Sequence, residues 1–298
     1  MACEIVAERA AAADAAAMTT HTLEPSLTTT DGAQLHVEDW GQGAPIVFTH
    51  GWTVGHEMWE RQMTALADAG LRAVGIDRRG CGRSTSGRDG FALDRLADDL
   101  AQVLAALDLR ATTLVAHSMG AAEAVHMLAR HGSDRIARLV LVAPTTPRPA
   151  AAPDHPHGIP AAVFDDMIAG LAADKPAYLA AAAPGFFGTG QAVSAEMTAW
   201  GVALAARAPL RTAIGLVRAF SQADQRDELA AVDVPTLVIH GDADASAPLE
   251  LCGRPTATGI ADARLVIYPG GPHGLPLSNG HSARLTDDLF AFTSDGGR

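Results

Sequence analysis

The chain has 298 residues, 48% of them apolar and 19% charged, with a formal net charge of −12, and a chain this long can bury about three quarters of its unfolded surface around one sizeable core. The acidic balance disfavours nucleic acid and anionic membranes as partners, because both reward basic patches. Three widely spaced cysteines, Cys3, Cys81 and Cys252, argue against a disulfide framework or a zinc site.

No apolar run approaches the roughly 20 residues of a membrane helix. Glu4 and Glu8 stand where a secretory signal needs basic residues, so a cytoplasmic protein is expected. Residues 1–22 are alanine-rich and read as a flexible appendage. Two β-like runs, Ser26 to Thr30 and Gln34 to Trp40, flank Asp31-Gly32 and predict a hairpin at a sheet edge. In the second run Leu35 and Val37 alternate with polar residues, which puts His36 on the wet face.

Pro45 to Thr49 reads as a buried strand that delivers His50-Gly51-Trp52-Thr53 at its C-terminal end, where ligand sites of open parallel sheets gather. A helix over Trp59 to Ala69 and a strand over Ala73 to Ile76 follow. Next comes Asp77-Arg78-Arg79-Gly80-Cys81-Gly82-Arg83-Ser84, which reads as an ion-paired structural loop. The helix expected over Leu93 to Leu107 places Asp98 and Asp99 on its wet side.

The pattern then sharpens. Thr112 to Val115 is β-branched and apolar, Ala121 to Arg130 is rich in helix formers, and between them lies Ala116-His117-Ser118-Met119-Gly120. A serine between strand and helix, with small residues two positions away on either side, is the pattern of a nucleophile elbow. Ala116 replaces the usual first glycine. Ile136 to Val142 is another core strand. From Pro144 to about Asp233 the alternation lapses into a proline-rich loop and helical stretches at Val163 to Ala173, Pro176 to Ala182, Ala195 to Ala206 and Leu210 to Phe220. Residues 145–232 therefore read as a helical cap inserted into a core of residues 23–144 and 233–298. Met167, Phe186, Phe187 and Trp200 are candidates to line an apolar substrate pocket. Asp154, His155 and His157 are metal-ligand types, but the intervening proline and the lack of a further clustered ligand argue against a metal site. Strands over Pro235 to Ile239 and Arg264 to Tyr268, with a short helix between, lead to a last helix over Ser282 to Phe292.

A serine hydroxyl becomes a nucleophile when a neutral imidazole accepts its proton, and a carboxylate fixes that imidazole's tautomer. Ser118, Asp244 and His273 each follow an expected strand, in the order Ser, Asp, His. Asp242 shares a turn with Asp244 and is read as bracing it. Backbone N–H groups of Trp52 and Met119 are assigned to hold the developing oxyanion. His117, beside the serine, is too constrained to serve as its base.

The HGW loop, DRRGCGRS, AHSMG, HGDAD and PGGPHG together resemble the serine α/β-hydrolases of the arylesterase and cofactor-free, non-haem haloperoxidase or perhydrolase group. The resemblance implies the α/β-hydrolase fold, a mostly parallel central sheet flanked by helices. It also implies nucleophile Ser118, acid Asp244, base His273, oxyanion donors Trp52 and Met119, and no cofactor. Thr53 stands where members noted for peracid formation often carry proline. The expected activity is hydrolysis of small, largely apolar carboxylic esters through an acyl-Ser118 intermediate. Lactone or γ-lactam opening and perhydrolysis are alternatives on the same triad, and a ligand receptor of the same fold is a minor one. The expected partner is a small-molecule ester, lactone or lactam, with no nucleic acid and no membrane. A homo-oligomer is compatible with this reading.

Overall fold

Strand and helix alternate along the chain in a computed structural model that describes residues 26–88, 90–188 and 193–294. The expected appendage over 1–22 lies outside the described residues. Eight strands, β1 (Ser26–Thr28), β2 (Gln34–Gly41), β3 (Pro45–Thr49), β4 (Arg72–Ile76), β5 (Thr112–His117), β6 (Ile136–Val142), β7 (Thr236–Gly241) and β8 (Ala263–Tyr268), form one sheet ordered β1-β2-β4-β3-β5-β6-β7-β8. The β1–β2 hairpin is antiparallel at one edge, β2 joins β4 antiparallel, and every pairing from β4 to β8 is parallel.

Parallel neighbours need crossover segments, and helices supply them. Here α1 (Glu60–Asp68), α2 (Leu93–Ala106) and α3 (Met119–His131) link the strands from β3 to β6, α7 (Gly253–Gly259) links β7 to β8, and α8 (Ser282–Ser294) follows. With both faces covered, the two-residue period of a strand sorts side chains into two cores. Val47, Leu114, Leu139 and Val238 lie in one, while their chain neighbours Phe48, Val115, Val140 and Leu237 lie in the other. All six residues of β5 are buried, which places its C-terminal end deep in the molecule.

Between β6 and β7 come α4 (Ala161–Phe187), α5 (Ala195–Arg207) and α6 (Leu210–Ser221). The two stretches expected at Val163 to Ala173 and Pro176 to Ala182 are the halves of α4, broken where Asp174 adopts φ −157° and ψ 89°. Pro176 falls in the first turn of the second half, where a missing N–H costs nothing, and the Asp174 carboxylate restarts the helix by accepting a hydrogen bond from Ala177 N–H at 3.0 Å.

Two expectations need correction. His36 is 3% exposed rather than wet, because the loop after β4 folds over this edge. Ser84 Oγ accepts from His36 N–H at 2.8 Å, and the imidazole lies between Glu38 and the ring of His56. Asp99, expected on the wet side of α2, is 5% exposed. Arg79 reaches it from the same loop, with Nε and Nη2 at 2.5 and 2.8 Å, and binds Asp31 at 2.8 and 2.9 Å. Helical spacing alone leaves a carboxylate in solvent, and only tertiary contact brings the cation to it.

Two strand-end histidines, His50 and His117, are fully buried. Burial, reinforced by Arg78 at His50 and by His273 at His117, lowers both imidazoles to about 3. In the unfolded chain they titrate near ~6.5. The unfolded state therefore binds protons first as pH falls, and stability is lost from about pH 6.5 down to the folded value, by up to about 1.4 kcal/mol per pH unit for each ring. His56 acts in the opposite window. Burial opposes its charge, but Asp77 prevails and raises its pKa, so its contribution is complete below ~6.5 and lost on the alkaline side.

Two outcomes are expected. Arg79→Met, which leaves Asp99 and Asp31 without their shared cation, should lower the unfolding free energy by about 3–5 kcal/mol, and an unchanged urea midpoint would contradict the scaffold role. In the wild type the urea midpoint should fall steadily between about pH 6.5 and 4, whereas a level profile would mean that the two rings are not kept neutral by the fold.

Candidate active site

Ser118 follows the last residue of β5 and precedes the first of α3, with φ 54° and ψ −119°. A residue with a β-carbon pays strain at positive φ and keeps it only where surrounding contacts over-determine the turn. Ser118 N–H donates to Val142 O at 3.0 Å, and Ser118 O accepts from Ala121 N–H at 3.0 Å. The end of β3 presses on the turn from the other side. A Cβ at Gly120 would meet His50 O at 2.8 Å, and one at Gly51 would meet His117 Nδ1 at 2.7 Å. Ala116 is accommodated with its methyl fully buried in the sheet core.

The turn presents Ser118 Oγ 2.8 Å from His273 Nε2, and His273 Nδ1 lies 2.7 Å from Asp244 Oδ2. His273 arrives on the loop after β8, and Asp244 on the loop after β7. Asp244 Oδ1 accepts from the N–H groups of Ser246 and Ala247 at 2.9 and 2.8 Å, and His240 Nε2 lies 3.2 Å from Oδ2. Burial resists ionisation of this carboxyl, but His273, His240 and the Ala247 N–H outweigh it and hold Asp244 well below the usual carboxylate range. A carboxylate only accepts, so Nδ1 of His273 carries the proton and Nε2 is left to accept from the serine. The arrangement can therefore take the hydroxyl proton while oxygen attacks a carbon. Asp242 makes a different contact, accepting from Gly270 N–H at 2.6 Å, and so ties its turn to the loop after β8. His117 Nε2 donates to His273 O at 2.9 Å, which fixes the backbone beneath the imidazole.

Sequence reasoning assigned no role to His240. It is fully buried, and its Nε2 faces both Ala247 O at 2.7 Å and Asp244. The available signal was its spacing, four residues before Asp244 at the end of an apolar strand.

Two residues that line the same cavity as Ser118 offer backbone donors. The N–H groups of Trp52 and Met119 have no acceptor among the described residues. Met119 opens α3, where the first N–H groups have no intrahelical partner. Trp52 is oriented by Arg78, whose Nη2 donates to His50 O at 2.6 Å and whose Nη1 donates to Gly51 O and Trp52 O at 2.8 and 3.1 Å. In a planar trans peptide the N–H points opposite the preceding C=O. Turning Gly51 C=O onto Arg78 therefore turns Trp52 N–H away from it. The same guanidinium binds Glu123 of α3 through Nε to Oε1, and through Nη2 to Oε2 at 2.8 Å.

Above Ser118 opens a cavity of about 350 Å³, walled on one side by sheet-end loops and on the other by α4 to α6. Met167, Phe186 and Phe187 line it, as expected pocket residues. Trp200 does not. It follows the Met197 and Leu204 stripe of α5 into the apolar core, and the adjoining face with Gly201 and Ala205 meets the cavity instead. Phe186 packs edge-on against His273 with ring centroids 5.5 Å apart, and its carbonyl accepts from Gly274 N–H at 2.8 Å. Next to it, Gly185 O accepts from Ser246 Oγ at 3.1 Å.

Among the described residues, His36, His56 and Asp77 bring metal-ligand atoms within 4.8 Å of one another. His56 Nδ1 is bonded to Asp77 at 2.9 Å, and the Arg83 guanidinium stands 3.2 Å from His36 Nε2, so this cluster already carries its own cation. Asp154 is bonded to Arg148 and Arg226. Cys81 and Cys252 are buried free thiols, each pushed up to about 12 by burial. No described helix is long and apolar enough to cross a membrane.

Residues 44–279 match the family model described as alpha/beta hydrolase fold. The chain is 38% identical over 273 residues to a non-heme chloroperoxidase of Kitasatospora aureofaciens, covering 90% of this chain and 98% of that protein. It is 35% identical over 274 residues to a bifunctional esterase/perhydrolase of Acinetobacter calcoaceticus, covering 89% and 98%. A bromoperoxidase from Bacillus anthracis superposes with a TM-score of 0.86 at 34% identity, covering 91% of this chain and 99% of that one. With its sheet order, its serine turn and these relatives, the chain belongs to the alpha/beta hydrolase family.

Proposed function

We propose that the protein is a serine hydrolase that cleaves small, uncharged, largely apolar carboxylic esters through an acyl-Ser118 intermediate. The observation that carries this reading is the unbroken hydrogen-bonded chain Ser118, His273, Asp244, opening beside two unpartnered backbone N–H groups. In the proposed mechanism His273 removes the Ser118 proton as Oγ attacks the ester carbonyl, and the N–H groups of Trp52 and Met119 receive the oxyanion. His273 then passes that proton to the departing alkoxide. Water, deprotonated by His273, attacks the acyl carbon, and collapse of the second tetrahedral adduct returns Ser118 with its proton and releases the acid. Asp244, held ionised, stabilises the imidazolium in both halves. The substrate class follows from the wall of the cavity, to which no Asp, Glu, Lys or Arg side chain contributes among the described residues; a carboxylate-bearing substrate would enter without a counterion from them.

A second reading uses the same intermediate. Hydrogen peroxide in place of water would release a peracid, and the bifunctional esterase/perhydrolase of Acinetobacter calcoaceticus, at 35% identity, favours it.

Ser118→Ala should abolish turnover of p-nitrophenyl esters, and rapid-quench mass spectrometry of the wild type should find the acyl group on Ser118; turnover by the variant would overturn the reading. The two aspartates should separate cleanly. Asp244→Asn should lower kcat by about 10³–10⁴-fold, while Asp242→Asn should leave kcat within about threefold and act on thermal stability instead. Equal losses would mean that the acid has been misassigned.

A further inference from the structure

The hydrogen-bonding groups in the wall of the cavity can be accounted for one by one. Ser118 and His273 bond each other. Trp52 Nε1 donates to Ala213 O at 3.0 Å, Thr145 Oγ1 to Ser118 O at 3.3 Å and Ser246 Oγ to Gly185 O at 3.1 Å. Thr53 Oγ1 lacks a partner, but it is closed off from solvent by its neighbours, and the buried Cys252 thiol is only a weak donor. Tyr178 remains. It lines the cavity from α4, just beyond the bend at Asp174, and its hydroxyl has no hydrogen-bond partner among the described residues.

The ring of Tyr178 is not loose. It packs against Gly170 on the other half of α4, so closely that a Cβ there would lie 2.5 Å from Cδ2. It packs against the apolar cluster formed by Phe164, Leu171, Ala213 and Val217. Burial pushes the phenol pKa up, so the group keeps a proton to donate. The hydroxyl is not sealed from solvent, so a ligand that displaces the water on it must bring an acceptor in exchange.

We propose that Tyr178 is a specificity-determining residue which donates a hydrogen bond to an uncharged oxygen, a keto, ether or hydroxyl function, carried on the apolar body of the ester away from the scissile bond. This rests on Ser118 as the acyl carrier and narrows the substrate class to oxygenated apolar esters. The rest of the wall gives the direction of selectivity. An oxygen placed elsewhere along the chain would be buried against apolar side chains and left unpaired, so the position of the oxygen, rather than its presence alone, decides the fit.

The test compares p-nitrophenyl octanoate with its oxo derivatives, the keto group moved stepwise along the acyl chain, and runs acetate esters of the corresponding keto-alcohols to cover the other side of the ester bond. Wild-type kcat/KM should peak at one keto position in one of the two series. Tyr178→Phe keeps the ring and its packing. It should lower kcat/KM for that ester by about 3- to 10-fold while leaving the plain octanoate within about twofold. Absence of any positional peak from both series, or an equal loss for plain and keto esters, would overturn the proposal. Esterase activity that survives Ser118→Ala would instead overturn the reading on which it rests, so the two failures are distinguishable.

Discussion

One guanidinium decides the shape of the site. Arg78 is buried between the loop after β3 and the helix after β5, and it binds three consecutive carbonyls of the first and the Glu123 carboxylate of the second. A buried pair of this kind adds little net stability, because desolvation offsets attraction; what it supplies is direction. Five donors in a rigid plane can be satisfied only if His50, Gly51 and Trp52 turn their carbonyls inward. His50 completes the arrangement from below, with Nδ1 donating to Gly51 O at 2.7 Å and Nε2 accepting from Arg78 N–H at 2.9 Å. That assignment requires a neutral ring, in keeping with its strongly lowered pKa.

The strain at Ser118 belongs to the same construction. The serine sits at positive φ because the strand before it and the first two turns of the helix after it are buried, and the turn between them has no room to relax. Gly120 and Gly51 are the points where the elbow and the β3 loop come close enough to exclude a side chain. Arg78 therefore aligns two elements that glycine has already allowed into contact. Cationic clamp and missing methyl groups act together, and either alone would leave the donors of the two loops facing different ways.

Much of this was legible in the residues. Core strands were readable because a buried parallel strand is a short apolar run with a sharp polar end, and the ends of β3, β5, β7 and β8 are where His50, Ser118, Asp244 and His273 follow. The bend in α4 was readable because Pro176 interrupts an otherwise helical run. What remained hidden was long-range pairing. His36 alternates like a solvated residue and Asp99 sits on the polar stripe of its helix, yet each is buried by the loop after β4, whose path no local pattern specifies. Trp200 was misplaced for a related reason: on a helix packed on two sides, apolar spacing does not say which side is cavity and which is core. His240 lay in plain view, but an imidazole that acts on an acid rather than on the serine leaves no motif of its own.

The fastening of α4 to the loops beneath it limits how the cavity can be entered. Gly274 N–H holds Phe186 O, and Ser246 Oγ holds Gly185 O, so the last turn of the helix is bolted on both sides to the backbone that carries the imidazole and the carboxylate. A hinged swing of the whole insertion would unpair both carbonyls and drag the proton relay with it. The break at Asp174 sets the leading half of α4 apart from this fastening, so it is the trailing half alone that keeps the relay in register.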